Sequence, residues 1–339
     1  MIATEHQLED VLSTPREADA AAMAALDGDV LILGVAGKMG PSLAHLAKRA
    51  CEAAGVRKRI LGVARFSSPA AREQLEQWGI ETLACDLLEP GALEKLPDAE
   101  NVIFMAARKF GSTGNESLTW AMNSFLPGLV AQRYRRSRIV AFSSGNVYPL
   151  VPVLHGAPTE SCPVAPVGEY AMSALGRERM FGYFSREYGT PVALLRLNYA
   201  VELRYGVLVD IGLKVFERRP VDLRMGHANV IWQGDANSVC LRSFAICQSP
   251  PAVLNLTGPE TVSVRWAAER FGSHFGIVPI LEGTESETAL LSNAGRCHQL
   301  FGYPTVSVEQ IIEWIAAWIG MGGAMLNKPT HFEVRDGKF

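Results

Sequence analysis

A chain of 339 residues is too long for one small domain and suits a large α/β unit joined to a smaller one. Hydrophobic residues at 48% and charged residues at 20% support a sizeable buried core and exclude a disordered chain. The net charge of −3 offers no basic face for nucleic acid, and no apolar run reaches the roughly 18 residues of a membrane helix.

The chain opens on an acidic, polar stretch around Glu5, Glu9 and Asp10, which reads as no signal peptide. Residues 1–28 are expected to form a helical N-terminal extension, rich in alanine from Ala20 to Ala25. From Asp29 short apolar runs alternate with longer amphipathic ones, the pattern of a parallel sheet covered by helices. Predicted strands run from Val30 to Leu33, Ile60 to Ala64, Glu81 to Ala84, Asn101 to Met105, Arg138 to Ser143 and Val192 to Leu197. Predicted helices cover about 41–54, 69–78, 117–136, 168–188, 235–248, 263–275 and 307–319. The expected fold is α/β, a Rossmann-like doubly wound parallel sheet with a smaller C-terminal α/β substrate lobe. Residues 29–197 plus about 226–248 are assigned to the dinucleotide domain, 198–225 plus about 249–330 to the lobe, and 331–339 to a tail. The six cysteines form no Cys-x-x-Cys pair and read as buried thiols in a reducing cytoplasm. Neither they nor the seven histidines show metal-ligand spacing, so no metal is expected.

The segment Val30-Leu31-Ile32-Leu33-Gly34-Val35-Ala36-Gly37-Lys38-Met39-Gly40-Pro41 runs strand, glycine loop, helix. Gly34, Gly37 and Gly40 permit a tight turn, a close approach of backbone to a pyrophosphate, and tight helix packing. Lys38 and Met39 stand at the helix start, where free N–H groups face phosphates, and Pro41 fits the first turn. After the second strand, Ala64 occupies the place where an acidic residue usually binds the adenosine ribose. Arg65, Ser67 and Ser68 follow. With no carboxylate, and with a guanidinium suited to phosphate, this loop predicts NADP in preference to NAD. The other reading is that Arg65 stacks on the adenine.

Two further segments carry chemistry. Ser143-Ser144-Gly145-Asn146-Val147-Tyr148 closes the fifth strand, and Tyr170-Ala171-Met172-Ser173-Ala174 opens a helix. With the glycine loop, they resemble the extended branch of the short-chain dehydrogenase/reductase family, the NAD-dependent epimerases and dehydratases, over about 29–320. The resemblance implies that Ser144 orients a substrate oxygen while Tyr170 exchanges its proton. It implies that Asp86 and Leu87 lie beside the adenine, that Ala106 and Ala107 line the passage to the nicotinamide ribose, and that Asn123 is structural. Asp86 serves equally well as the cap of the next turn. Ser143 is expected to close a backbone turn, and Tyr148 to pack or to touch substrate.

In that family a lysine follows the tyrosine by four residues; here the position is Ala174. An unperturbed phenol titrates near about 10, and the family's lysine lowers that value and binds the nicotinamide ribose. Three readings stay open. Arg177 supplies the charge from one turn further along the same face, although Arg177-Glu178-Arg179 also reads as an ordinary solvated face. Alternatively, Arg108 or Lys109 after the fourth strand supplies it or holds an anionic substrate group. In the third reading proton transfer is lost and the domain binds cofactor as a sensor or scaffold.

Leu195-Arg196-Leu197-Asn198-Tyr199-Ala200 resembles a family strand end with shortened spacing, and Asp235 is expected to cap a helix. The substrate pocket belongs between the lobes, beyond the strand C-termini. Its expected liners are Arg108, Asn146, Asn198, Arg204, Tyr205 and Trp232, around a sugar-like or hydroxylated small molecule. The expected chemistry is hydride transfer, as an oxidoreductase, epimerase or dehydratase. Helices near 117–136 and 168–188 resemble the pair that forms a two-fold four-helix interface in relatives, which implies a homodimer.

Overall fold

The computed structural model describes residues 2–109, 111–328 and 330–338; Met1, Phe110, Pro329 and Phe339 lie outside the described residues. Two helices, α1 (Glu5–Leu12) and α2 (Glu17–Ala25), precede strand β1 (Val30–Leu33). Then come α3 (Gly40–Ala53), β2 (Ile60–Ala64), α4 (Pro69–Gln77), β3 (Glu81–Ala84) and β4 (Asn101–Phe104). Helix α5 (Glu116–Trp120) runs through a π-helical turn (Ala121–Phe125) into α6 (Leu126–Arg133). The second half holds β5 (Arg138–Ser144), α7 (Glu169–Tyr188), β6 (Val192–Leu197), α8 (Val207–Phe216), α9 (Gln233–Arg242) and β7 (Ala252–Leu256). Helices α10 (Val264–Phe275), α11 (Gly295–Phe301) and α12 (Val308–Gly320) complete the order.

The strands form one sheet in the order β7-β6-β5-β4-β1-β2-β3, and every neighbouring pair is parallel. Helices cover both faces, so β1 and β4 are buried along their whole length, which is why they read as continuous apolar runs. One face packs β1 and β5 residues such as Ile32 and Val140 against Leu43, Ala47 and Val239 of α3 and α9. The other packs Leu31, Phe104 and Ala141 against Val130 and Phe181 of α6 and α7. Strand order reverses between β1 and β4, which opens a crevice at their C-terminal ends.

Strand β7 corrects the expected division of the chain. Ala252–Leu256 lies in the segment assigned to the lobe, yet it pairs with β6, Leu254 opposite Leu195, and extends the main sheet. The N-terminal extension is also no appendage. Leu8 and Leu12 of α1 join the core of the smaller lobe beside Val207, Ile311 and Ile315, while Met23 of α2 packs on the sheet side. Among the described residues no helix is long and apolar enough to cross a membrane.

Candidate active site

The glycine loop follows β1 directly. Gly34 has a φ of +94°, and a Cβ there would stand 2.7 Å from the Ala106 backbone nitrogen, so only glycine lets β1 and the end of β4 approach this closely. A Cβ on Gly40 would meet the Val35 carbonyl oxygen at 2.1 Å. Within the loop, Gly34 and Val35 donate to the Val63 carbonyl, Gly37 to Gly34 and Gly40 to Gly37. That set leaves the Lys38 and Met39 N–H groups at the start of α3 for an anion. A loop whose glycines are forced by close packing, opening on a helix start, fits a dinucleotide pyrophosphate. Arg65, Ser67 and Ser68 are exposed beside it. Asp86 accepts a hydrogen bond from Leu88 N at 3.1 Å, so it does cap its turn, with its second oxygen outside that bond. Leu87 and Ala106 are buried, and Ala107 is exposed.

A cleft of about 170 Å³ opens at the strand C-termini. Lys38 and Met39 of the glycine loop, Lys109 after β4, Ser143 and Ser144 of β5, and Tyr170 of α7 line it. Asn146, Asn198, Tyr199 and Tyr205 complete the polar wall. Sheet topology thus brings Ser144, Tyr170, Asn146, Asn198 and Tyr205 together, five of the residues expected from sequence. Ser144 Oγ accepts from Asn146 N at 3.1 Å and donates to Asn146 Oδ1 at 3.0 Å. The turn is therefore closed by Ser144, not by Ser143. Ser143 instead donates to Glu178 Oε1 at 2.6 Å.

Ala174 is fully buried and packs with Val147 and Tyr148. Lys109 Nζ lies 5.7 Å from the ring centre of Tyr170 and 5.7 Å from that of Tyr199. Burial lowers its pKa to about 8. On the opposite wall Lys38 Nζ donates to the Ala200 carbonyl at 2.6 Å and stands 4.4 Å from the Tyr205 ring centre. Its pKa is likewise lowered to about 8, chiefly by burial. Burial raises the phenols of Tyr199 and Tyr205 above their usual range.

Arg177 is no solvated residue: it is only 3% exposed. Its guanidinium donates to the Phe142 carbonyl at 2.6 Å and to Asn123 Oδ1 at 3.0 Å. Burial lowers its pKa, opposed by nearby Tyr170 and Glu178. Asn123, in the π-helical turn, also bonds both backbone groups of Arg108, accepting from N and donating to O. It is the structural asparagine expected, tying the segment after β4 to α7.

Three expected pocket residues are placed elsewhere. Arg204 is held by Glu202 at 3.1 Å, Glu9 at 2.6 Å and Glu5 at 3.3 Å, so carboxylates of α1 already take the charge assigned to a substrate anion. Trp232 is 2% exposed and meets Trp314 edge-on in the core of the lobe. Arg108 folds back to the Gly111 carbonyl at 3.0 Å. Asp235 caps nothing in its own helix; it accepts from Arg16 and from the backbone of Thr305 and Val306. Sequence reading missed the buried pair Glu178–Arg196, bidentate at 2.9 and 2.7 Å. Arg196 also donates to the Tyr148 hydroxyl at 2.8 Å, and that hydroxyl donates to Asn255 Oδ1 at 2.9 Å. Its only signal in the sequence was the charged pattern of Arg177-Glu178, which carries no address for the partner. Among the described residues no cluster of metal-ligating side chains occurs.

A model of the family described as NAD dependent epimerase/dehydratase matches residues 30–201. No curated protein sequence matches the chain. Among solved structures, UDP-glucuronic acid 4-epimerase from Bacillus cereus, in complex with UDP-glucuronic acid and NAD, superposes with a TM-score of 0.72 at 17% identity, covering 86% of this chain and 99% of that one. UDP-glucose 4-epimerase from Thermus thermophilus, in complex with NAD, gives 0.71 at 17%, covering 88% and 100%. An epimerase from Methanothermobacter thermautotrophicus gives 0.71 at 18%, covering 90% and 96%. At such identities the superpositions establish a shared fold. The sequence match spans just over half of the chain and takes in the glycine loop, the Ser144 segment and Tyr170, and on that match this protein belongs to the NAD dependent epimerase/dehydratase family.

Proposed function

We propose that the protein is a nicotinamide-dependent enzyme of hydride transfer acting on a hydroxylated, sugar-like small molecule. It acts either as an oxidoreductase or as an epimerase or dehydratase that regenerates its cofactor. One observation carries the reading: Ser144, Tyr170 and the Lys109 ammonium line a single cleft beside the glycine loop. When bound, the nicotinamide supplies a hydride acceptor or donor. The chain's own residues bind and orient. Ser144 positions the substrate oxygen, Tyr170 exchanges its proton, and Lys109 replaces the ammonium missing at Ala174. Turnover of Tyr170→Phe should fall at least about a hundredfold with cofactor affinity unchanged; unaltered turnover would sink the role of the phenol.

A second reading, a cofactor-binding sensor or scaffold, draws on the apolar packing of Ala174 and on the commitment of Arg177 to Phe142 and Asn123. It expects dinucleotide binding with no hydride transfer to any polyol or sugar.

For the cofactor we infer NADP over NAD. The two NAD complexes named above favour NAD, but here β2 ends in Ala64 with Arg65, Ser67 and Ser68 exposed at the start of α4, a setting for a 2′-phosphate. Titration should give NADP the lower Kd, and Arg65→Ala should narrow the gap about tenfold; a lower Kd for NAD in the parent protein would refute the assignment. A homodimer is supported by exposed apolar side chains on the paired helices: Leu118 and Phe125 on one, Met172, Tyr183 and Tyr188 on the other. All six cysteines are free thiols, which supports a cytoplasmic location.

A further inference from the structure

Residues 330–338 form neither helix nor strand, yet side chains along the segment are firmly held. Thr330 donates to Asp210 Oδ2 of α8 twice, through its backbone N–H at 2.8 Å and its hydroxyl at 2.5 Å. Phe332 is 1% exposed and joins the core of the lobe, and Glu333 pairs with Lys214 of α8. Arg335 donates to the Thr288 carbonyl at 2.8 Å, to the Thr288 hydroxyl at 2.6 Å and to the Arg224 carbonyl at 3.1 Å. All four anchors belong to the lobe.

The segment then crosses to the sheet domain. A Cβ on Gly337 would stand 2.2 Å from the Val167 carbonyl oxygen, and one on Gly168 would stand 2.3 Å from the Gly337 carbonyl oxygen. Two facing glycines, with φ of +74° and +84°, permit that approach where a side chain would not. Gly168 is the N-cap of α7 and supplies no side-chain cap, so the helix start depends on its packing for position. Met172 N donates to the Gly168 carbonyl at 3.0 Å, and Tyr170 stands between the two. The segment also borders the active site. Thr330 and Tyr170 line the same cleft, and Val334 and Arg335 share with Asn146 a gap of about 30 Å³.

We propose that residues 330–338 are a clasp, anchored in the lobe, that fixes the start of α7 and so positions Tyr170 in the cleft, with Gly337 as the positioning residue. The inference deepens the functional reading above and rests on it, since the phenol is the group whose placement is at stake.

Fluorine NMR of protein carrying 3-fluorotyrosine at position 170 reads the surroundings of that ring, and hydrogen exchange reads the first turns of α7; neither needs a substrate. Gly337→Val drives a side chain into the Val167 carbonyl. A chain ending at Arg335 removes the contact and keeps all four anchors. In both variants the fluorine resonance should shift or broaden, and the amides of Met172 to Leu175 should exchange at least about tenfold faster. Exchange in α8 and the unfolding midpoint should stay as in the parent, and exposed Lys338→Ala should match the parent in every readout. An unmoved resonance, or unchanged exchange in α7, overturns the inference. So does loosening that spreads to α8 with a lower midpoint, which would make the segment a general staple of the fold. Undiminished turnover in Tyr170→Phe defeats the functional reading, whereas a fluorine resonance indifferent to the clasp defeats this inference alone.

Discussion

Lys109 reaches Tyr170 from a different part of the chain than the lysine of related sites, and that changes its electrostatics. A lysine on the tyrosine's own helix is placed by helical spacing; Lys109 is placed by the Asn123 clamp on the neighbouring Arg108 backbone. Burial lowers its pKa to about 8, so the ammonium is present below that pH and lost above it. The profile of kcat/KM should therefore show an alkaline limb near pH 8, and Lys109→Arg should move that limb to higher pH, since guanidinium does not titrate in this range. A limb unmoved by the change would assign it to another group. For stability the sign is opposite. Between about 8 and the usual lysine value of 10.5 the unfolded chain binds more protons, so this residue's contribution to stability improves as pH rises through the window.

Helix α7 illustrates how one element serves two purposes. Its first turn delivers Tyr170 to the cleft, while its middle buries Glu178 against Arg196 of β6. Both partners are almost fully buried and bidentate, with Ser143 and Tyr148 as added partners. Removing one member of such a pair leaves an uncompensated charge and costs about 3–5 kcal/mol. Glu178→Gln should lower the midpoint of thermal unfolding clearly, whereas exposed Arg179→Ala should leave it nearly unchanged; equal melting of both variants would dismiss the pair as a stabilising contact. Periodicity located α7 within a residue at its start, because apolar spacing is local, and the resemblance to the family singled out Tyr170. Of the two readings left open for Arg177, the solvated face fails, because burial there depends on Arg196 and Phe142, residues distant in sequence. The same limit explains why Ser144 rather than Ser143 closes the turn after β5, while Ser143 bonds Glu178: adjacent serines look alike until β5 has a neighbour on each side.

At the level of the whole molecule, the N-terminal extension ties the sheet domain to the lobe. Glu5 and Glu9 hold Arg204, Arg16 holds Asp235, and Asp19 accepts from Ser238 at 2.5 Å. Arg204 directly precedes Tyr205, which lines the cleft, so the extension braces the segment that forms one wall without lining the pocket itself. The proposed dimer uses the opposite side of α7. Phe125, at 59% exposure, and Tyr183, at 56%, are large apolar groups that a monomer would leave in water. Light scattering should give twice the chain mass at micromolar concentration, and the double change Phe125→Glu with Tyr183→Glu should give the single mass. A monomeric parent protein would refute the interface.

Local pattern alone was enough to define β1 to β6 and the glycine loop, because apolar runs, glycines and helix starts act over a few residues, and the family resemblance added Tyr170. Pairing across the sheet was needed to add β7, to turn Arg204 and Trp232 into structural residues, and to bring Lys38 and Lys109 into one cleft with Tyr170. Each of those outcomes depends on which distant side chains meet and share a buried charge. Burial and charge compensation are properties of the folded neighbourhood, and no stretch of sequence carries them in isolation.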